Sequence, residues 1–494
     1  MKIAGLDIGT TGCKLTVFDE NGNYLDKAYC DYPVTRKVSG HEIDAAGILK
    51  GVKKVMKEMG ILHPDIAGIG VTSFGETFVL TDEKGSPLYP AMLYTDPRGT
   101  KECKELKEKL GEKRIAAITG VNPHEMYSVS KMMWLKRHEP EIYAKGSHLF
   151  LIEDFVVFHL TGRAQIDYSL ASRTMAFDIR HLRWSDEILR AAEIDRSLLS
   201  DTVPAGTSAG SIRSEIAAAA GLSGDTVIVS ISHDQVAAAV GAGVFDPDIA
   251  VEGAGTVECI TPICDGLPEI ETMSAGNYAV VPYVVPGKYV CYAFSYTGGA
   301  LIQWCVDTIA KKEKELAEKE GVSANTYLER QAESPTGILV LPHFAGAATP
   351  YMDTGSKGAI LGLTADTSAA EIYRACMEGV GYEMMVNMEY LKKSCVDFKM
   401  LHAAGGGARS AEWTQMKADM LNIPITTLET MDAGTVGSAM LTGIVTGCFK
   451  SLEDAAEKMV VKKEVYLPRA EMHEKYEKVY RRYRDVYHAV RPLM

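Results

Sequence analysis

A strand, a glycine–threonine turn and a second strand open this chain, and the same succession starts again near residue 249. Residues 2–7 are short and apolar, Asp7-Ile8-Gly9-Thr10-Thr11-Gly12 makes the turn, and residues 14–18 return. Residues 249–252 lead into Gly253-Ala254-Gly255-Thr256, and residues 257–261 follow. The second turn is shorter and lacks the aspartate. A chain of 494 residues exceeds what one hydrophobic core usually supports. The recurrence therefore reads as two related halves, residues 1–245 and 246–494. The segment Gly243-Val244-Phe245-Asp246-Pro247-Asp248 is the expected crossing, and no Gly/Ser-rich linker marks it.

The periodicity fits an α/β fold. Asn21-Gly22 gives a tight turn, and residues 24–29 continue the meander. A helical pattern runs over residues 45–59, and residues 66–72 are a compact strand. This order predicts a mixed sheet covered by helices. Later, residues 368–393 form a long helical pattern. Residues 400–404 are strand-like and enter Gly405-Gly406-Gly407, and helices are expected over 412–421 and 436–446. From Glu453 onward tyrosines are scattered among Lys, Glu and Arg, which reads as a surface helix with a solvated face.

Composition narrows the partners. Formal net charge is −13 and no long Lys/Arg run appears, so the footprint of a nucleic-acid binder is absent. An acidic protein can still hold phosphate through backbone N–H groups, a helix N-terminus or a metal ion. Ten cysteines are scattered without a C-x-x-C pair, as expected of reduced thiols. The N-terminus enters a strand directly, without the pattern of a signal peptide. No apolar run approaches the ~20 residues of a membrane helix. The expectation is a cytoplasmic protein with no membrane or nucleic-acid partner.

Four stretches carry chemistry. Asp7 at a strand end can hold Mg²⁺ through water, while Gly9, Thr10 and Thr11 let phosphate oxygens approach the backbone and hydroxyls. The bland alternative is a plain hairpin turn. Lys14 would add a positive charge near the phosphates, or simply lie on the strand surface. Gly255 and Thr256 echo the first turn and could grip the same phosphates from the opposite side. Asp234, in His233-Asp234-Gln235, stands between a strand at 227–231 and a small-residue helix at 236–241. That position suits a general base and equally a helix cap. His233 is either a core histidine or a pocket wall. Gly405-Gly406-Gly407-Ala408-Arg409-Ser410 permits close approach of a flat ligand or phosphate, and is not a dinucleotide fingerprint. No G-x-x-x-x-G-K-[ST] loop and no protein-kinase motif set occurs.

Taken together, these residues resemble the FGGY carbohydrate kinases over nearly the whole chain. Residues 126–138, Met126-Tyr127-Ser128-Val129-Ser130-Lys131 through His138, fit the family's first signature. Residues 358–378 nearly fit the second, with Cys376 where small or aliphatic residues are usual. Pro342-His343-Phe344-Ala345-Gly346 is also family-like, although the usual Gly-Glu-Arg reads Gly346-Ala347-Ala348. The resemblance implies two actin-like (RNase H-like) domains with ATP bound in the cleft between them. By motif match, Asp7 resembles the magnesium-associated aspartate. Thr10, Thr11 and Thr256 resemble phosphate-gripping residues, Asp234 the catalytic base, and Gly406 and Gly407 the adenosine-side glycines. The implied reaction is phosphorylation of a small-molecule sugar or polyol, with hinge closure on the sugar. Family members are often dimers, so a homodimer is the corresponding expectation.

Substrate choice rests on fewer residues. Gly75-Glu76 stands where xylulose kinases show Met-His and glycerol kinases Arg-Glu, and Glu76 could accept bonds from sugar hydroxyls. Tyr94-Thr95-Asp96-Pro97-Arg98 resembles the family's Trp-x-Asp-x-Arg, and Asp96 and Arg98 either pair or touch substrate. Asp234-Gln235 resembles glycerol kinases, in which the glutamine also faces substrate, whereas Met126 replaces their substrate tyrosine. A ketose such as a pentulose is the leading class, and glycerol, another polyol or a sugar acid the alternative. A non-catalytic actin-like sensor is the remaining one, against which Asp7, Asp234 and both turns argue.

Overall fold

The computed structural model describes residues 1–37, 40–429 and 432–494. Its first large sheet begins with β1 (Lys2–Ile8), β2 (Gly12–Phe18) and β3 (Tyr24–Asp31), an antiparallel meander. Helix α1 (Ala45–Leu62) returns the chain to β4 (Ile66–Ser73), parallel to β1. Asp44 caps α1 by accepting from Ala46 N–H, and Ile48, Val52, Val55, Met56 and Met59 bury one face. Strand β5 (Thr207–Ser211) runs antiparallel to β6 (Val227–His233), which lies parallel to β4. The order is β5-β6-β4-β1-β2-β3. Helix α2 (Asp234–Gly241) leaves the end of β6.

The second large sheet repeats this plan. Strand β7 (Ile249–Ala254) pairs antiparallel with β8 (Glu258–Asp265); β9 (Val280–Pro282) and β10 (Lys288–Cys291) continue outward from β8. The chain then passes through α3 (Ala369–Lys393), β11 (Met400–Ala404), α4 (Ala411–Leu421) and β12 (Ile425–Leu428). It continues through α5 (Ala433–Val445), β13 (Lys462–Tyr466) and α6 (Ala470–Tyr483). Strand β11 lies parallel to β7, β12 parallel to β11, and β13 antiparallel at the edge. Each sheet thus has an antiparallel meander, two further parallel strands and an antiparallel edge. The likeness suggested by two short turns extends to whole sheets. Val257 falls in the turn instead of the strand, because Gly255 N–H closes onto its carbonyl.

Helices α2 and α5 cross at backbone contact. A methyl group on Gly437 would collide with Ala237 O, and one on Gly241 with Ala433 O. Helix α5 also packs on β1, where a methyl group on Gly5 would strike Thr435 O. The tail departs from expectation. It forms the helix Leu452–Met459, β13 and α6, and α6 buries Tyr476, Tyr480 and Tyr483. Tyr480 stacks on Tyr382 of α3, and Tyr483 Oη donates to Glu383 Oε2 at 2.7 Å. Tyrosines four and three residues apart mark an amphipathic cover over α3, not a solvated face.

Candidate active site

The first turn, the end of β6 and the approach to α5 form one charged cluster. Asp7 and Lys14 are register partners across β1 and β2. Lys14 Nζ lies 3.0 Å from Asp7 Oδ2 and 2.6 Å from Asp432 Oδ1, just ahead of α5. Burial raises the Asp7 carboxyl above its ordinary range, and Lys14 opposes the shift. Lys14 is held well above the usual lysine range by the two carboxylates, against its own burial. In the same turn Gly9 N–H donates to Gly12 O, Thr10 is half-buried and Thr11 is exposed.

Asp234 is the first residue of α2, and His233 takes the cap position. Its Oδ1 accepts from Gln235 N–H at 2.6 Å and lies 3.2 Å from His233 Nε2. Asp234 is therefore not the helix cap that the sequence also allowed: it is the first helical residue, and its Oδ1 holds the N–H of the next. The carboxyl is pushed up to about 7, by burial first and then by the negative charges of Asp7 and Glu76. Burial, reinforced by Arg173, holds His233 well below the usual histidine range. Gln235 is exposed.

Glu76 lies in a tight turn after β4 with φ of +62°. Its carboxylate is buried against Arg173, whose Nε donates to Oε1 at 2.6 Å and whose Nη2 donates to the same oxygen. Ser128 Oγ donates to the Glu76 carbonyl at 2.7 Å, tying the first signature to this turn. Lys131 of that signature is buried and donates to the carbonyls of Glu125 and Met126. Burial pushes its ammonium down to about 8. Asp96 and Arg98 pair with each other, and Glu42 completes the cluster. In the second signature, Glu378 accepts from Thr336 N–H and Oγ1, Arg374 meets Glu412 at 2.5 Å, and Cys376 is buried beside Cys305. These signature residues brace the fold around the cluster.

The second turn and the triple glycine meet. Gly255 and Thr256 are exposed, and their carbonyls accept from Gly298, Gly299 and Ala300 N–H at the start of helix Gly299–Thr308. Gly405 has φ of +100°, and a methyl group there would come 2.6 Å from Ala254 O. Gly406 faces open space and lines a cavity of about 760 Å³ with Gly405, Arg409, Thr427, Glu429 and Tyr466. Gly407 is turned toward Ala254 and Trp413.

Asp432, Arg173, Tyr127 and Tyr292 were not anticipated as site residues. Asp432 precedes a small-residue helix much as Asp7 precedes a small-residue turn, a signal that could have found it. Arg173, in Ala171-Ser172-Arg173-Thr174, carries none. Among the described residues no group of three or more His, Cys, Asp or Glu could hold a metal ion. Mg²⁺ is commonly held by one or two carboxylates together with phosphates and water. Lys14 engages Asp7 Oδ2. No helix among the described residues is long and apolar enough to cross a membrane.

Two sheets of one topology make an actin-like architecture. Residues 2–241 match the N-terminal domain, and residues 267–445 the C-terminal domain, of the FGGY family of carbohydrate kinases. Xylulose kinase of Lactococcus lactis is 27% identical, over 98% of this chain and 96% of its own. Glycerol kinase of Alkaliphilus metalliredigens is 29% identical, over 97% and 96%. The crystal structure of ligand-bound xylulose kinase from Lactobacillus acidophilus superposes with a TM-score of 0.91 at 23% identity, over 99% and 98% of the two chains. The chain belongs to the FGGY family and is an ATP-dependent carbohydrate kinase.

Proposed function

We propose that the chain transfers the γ-phosphoryl group of Mg-ATP to a hydroxyl of a ketose, with a pentulose as the leading class. Asp234 is the general base. The attacking oxygen bonds to the γ-phosphorus as the bond to the bridging oxygen of ADP breaks. The hydroxyl proton passes to Asp234 Oδ2. The observation that carries this reading is a carboxyl at the head of α2, with one oxygen tied down and a pKa raised to about 7. Such a group is basic enough to accept a proton and still about half ionised at pH 7. Asp7 would hold Mg²⁺ through water, and the ion would neutralise charge on the nucleotide phosphates. Thr10, Thr11, Gly255 and Thr256 would line the phosphates, with the adenosine in the cavity beside Gly406. Residues 1–245 and 246–494 would close on the sugar about the crossing of α2 and α5, excluding water that would otherwise attack ATP.

A polyol is the second reading, favoured by Gln235 directly after Asp234. Both are tested by magnesium-dependent ADP release across ketoses, aldoses, sugar acids, polyols and glycerol. One sugar should stimulate wild type strongly, and Asp234→Asn should lower kcat by about 10²–10⁴-fold. On the acid side, kcat/KM should fall about tenfold per pH unit below about 7, as Asp234 protonates. Full activity in Asp234→Asn would remove the aspartate from the mechanism.

A further inference from the structure

Arg173 belongs to no turn or signature described above, yet it pairs with Glu76 and its charge reaches Asp234. Only 7% of the residue is exposed. Its stem runs across Gly75. A methyl group there would come 2.9 Å from Arg173 Cγ and 3.2 Å from His233 Cδ2. The missing side chain at position 75 is what admits the arginine. The guanidinium lies over the rings of Tyr127 and Tyr292, with its carbon 5.2 and 5.9 Å from their centroids. Nε and Nη2 both donate to Glu76 Oε1. Nη1 is buried with no hydrogen-bond partner. A buried charged donor without an acceptor is costly, and in native proteins such a group asks for an explanation.

The geometry points to Arg173 as a specificity-determining residue. Its Nη1 donates to an oxygen of a neutral sugar or polyol, while Nε and Nη2 fix Glu76 so that Oε2 accepts from a hydroxyl of the same ligand. This rests on the kinase reading and deepens it. The charges decide the ligand class. Glu76 balances Arg173, and Asp7, Asp234 and Asp432 outnumber Lys14. An anionic sugar acid would meet a cluster already negative before ATP arrives, whereas a carbonyl or hydroxyl oxygen meets the free donor without that repulsion.

The test measures kcat and KM for neutral ketoses, polyols and aldonates, and for ATP, in wild type, Arg173→Gln and Arg173→Lys. Monodeoxy analogues of the accepted sugar and thermal melting complete it. Wild type should accept neutral sugars and refuse aldonates. Arg173→Gln should raise the sugar KM about 10–100-fold, with the ATP KM unchanged and the acid limb of the pH profile moved upward, since the charge of Arg173 holds the Asp234 carboxyl down. One deoxy analogue, poor for wild type, should be discriminated far less by the variant, a coupling that a purely structural role does not produce. Should Arg173→Gln fail to fold, Arg173→Lys decides, since it keeps the charge under the rings but not the planar fork. A folded variant with unchanged sugar KM, or a wild type that prefers aldonates, overturns the inference. A wild type that phosphorylates no sugar overturns the kinase reading itself, and this inference with it.

Discussion

Lys14 shows how a single side chain sets the electrostatics of the cluster. It stands between Asp7 and Asp432 and is their cation at 3.0 and 2.6 Å. Without it two carboxylates would face the approaching nucleotide phosphates unopposed. Lys14→Met is expected to lower kcat/KM for Mg-ATP about 10–100-fold and to leave the sugar KM nearly unchanged. Steady-state kinetics with each substrate varied in turn checks this. An equal rise in both KM values would mean that Lys14 only holds the fold. The residues of this cluster were unequally legible. Asp7 and Asp234 sit at a strand end beside a turn glycine and at a helix start, so local patterning exposes them, whereas Glu76 was reached through the family resemblance. Arg173 reaches Glu76 across 97 positions, and Asp432 reaches Lys14 from near the other end of the chain. Such pairings are made by tertiary structure and leave no local mark.

At the scale of elements, α4 anchors the second glycine turn. Lys417 Nζ meets Glu252 Oε1 at 2.8 Å and Glu258 Oε1 at 2.7 Å, and all three side chains are buried. Glu252 lies in β7 and Glu258 opens β8, so one ammonium ties the two strands that bear Gly253-Ala254-Gly255-Thr256. Lys417→Met would leave two buried carboxylates unpaired and should cost about 3–5 kcal/mol of stability. Combining Lys417→Met with Glu252→Gln and Glu258→Gln removes those charges and should recover most of the loss. Chemical denaturation of wild type, the single variant and the triple variant measures the difference. A Lys417→Met protein as stable as wild type would deny the triad its anchoring role. The strands and the long helices were legible because their periodicity is strong. The triad was not, since a lysine and two glutamates read as surface residues until folding buries them together. The tail was misread for the converse reason, its charged residues masking tyrosines at helical spacing.

Over the whole molecule, buried acids govern how stability varies with pH. Burial pushes Asp154 up to about 8, and Glu378 and Asp234 to about 7. These groups keep protons in the folded state that the unfolded chain has already lost near pH 4. Where the folded state binds more protons, stability falls as pH rises, by up to about 1.4 kcal/mol per unit for each such group. Their contribution is therefore full below about pH 4 and is lost progressively as pH rises from there to about 7 to 8. Histidines act in the opposite sense. Burial lowers His124, His148, His159, His233 and His402, so their unfolded forms gain protons first as pH drops below about 6.5 and offset the acids there. The melting temperature should thus climb as pH is lowered from 8.5 to about 6.5 and then level off. Asp154 isolates one contributor. Its Oδ2 accepts from Ser200 Oγ at 2.6 Å, and its Oδ1 is buried without a partner, a state that suits a neutral group. Asp154→Asn keeps the shape and removes the titration. It should already melt above wild type at pH 6.5, because the unfolded wild-type chain gains the ionisation of Asp154 there, and the gap should widen toward pH 8.5. Scanning fluorimetry across that range decides the matter, and identical slopes for the two proteins would mean that Asp154 is ionised in the native state.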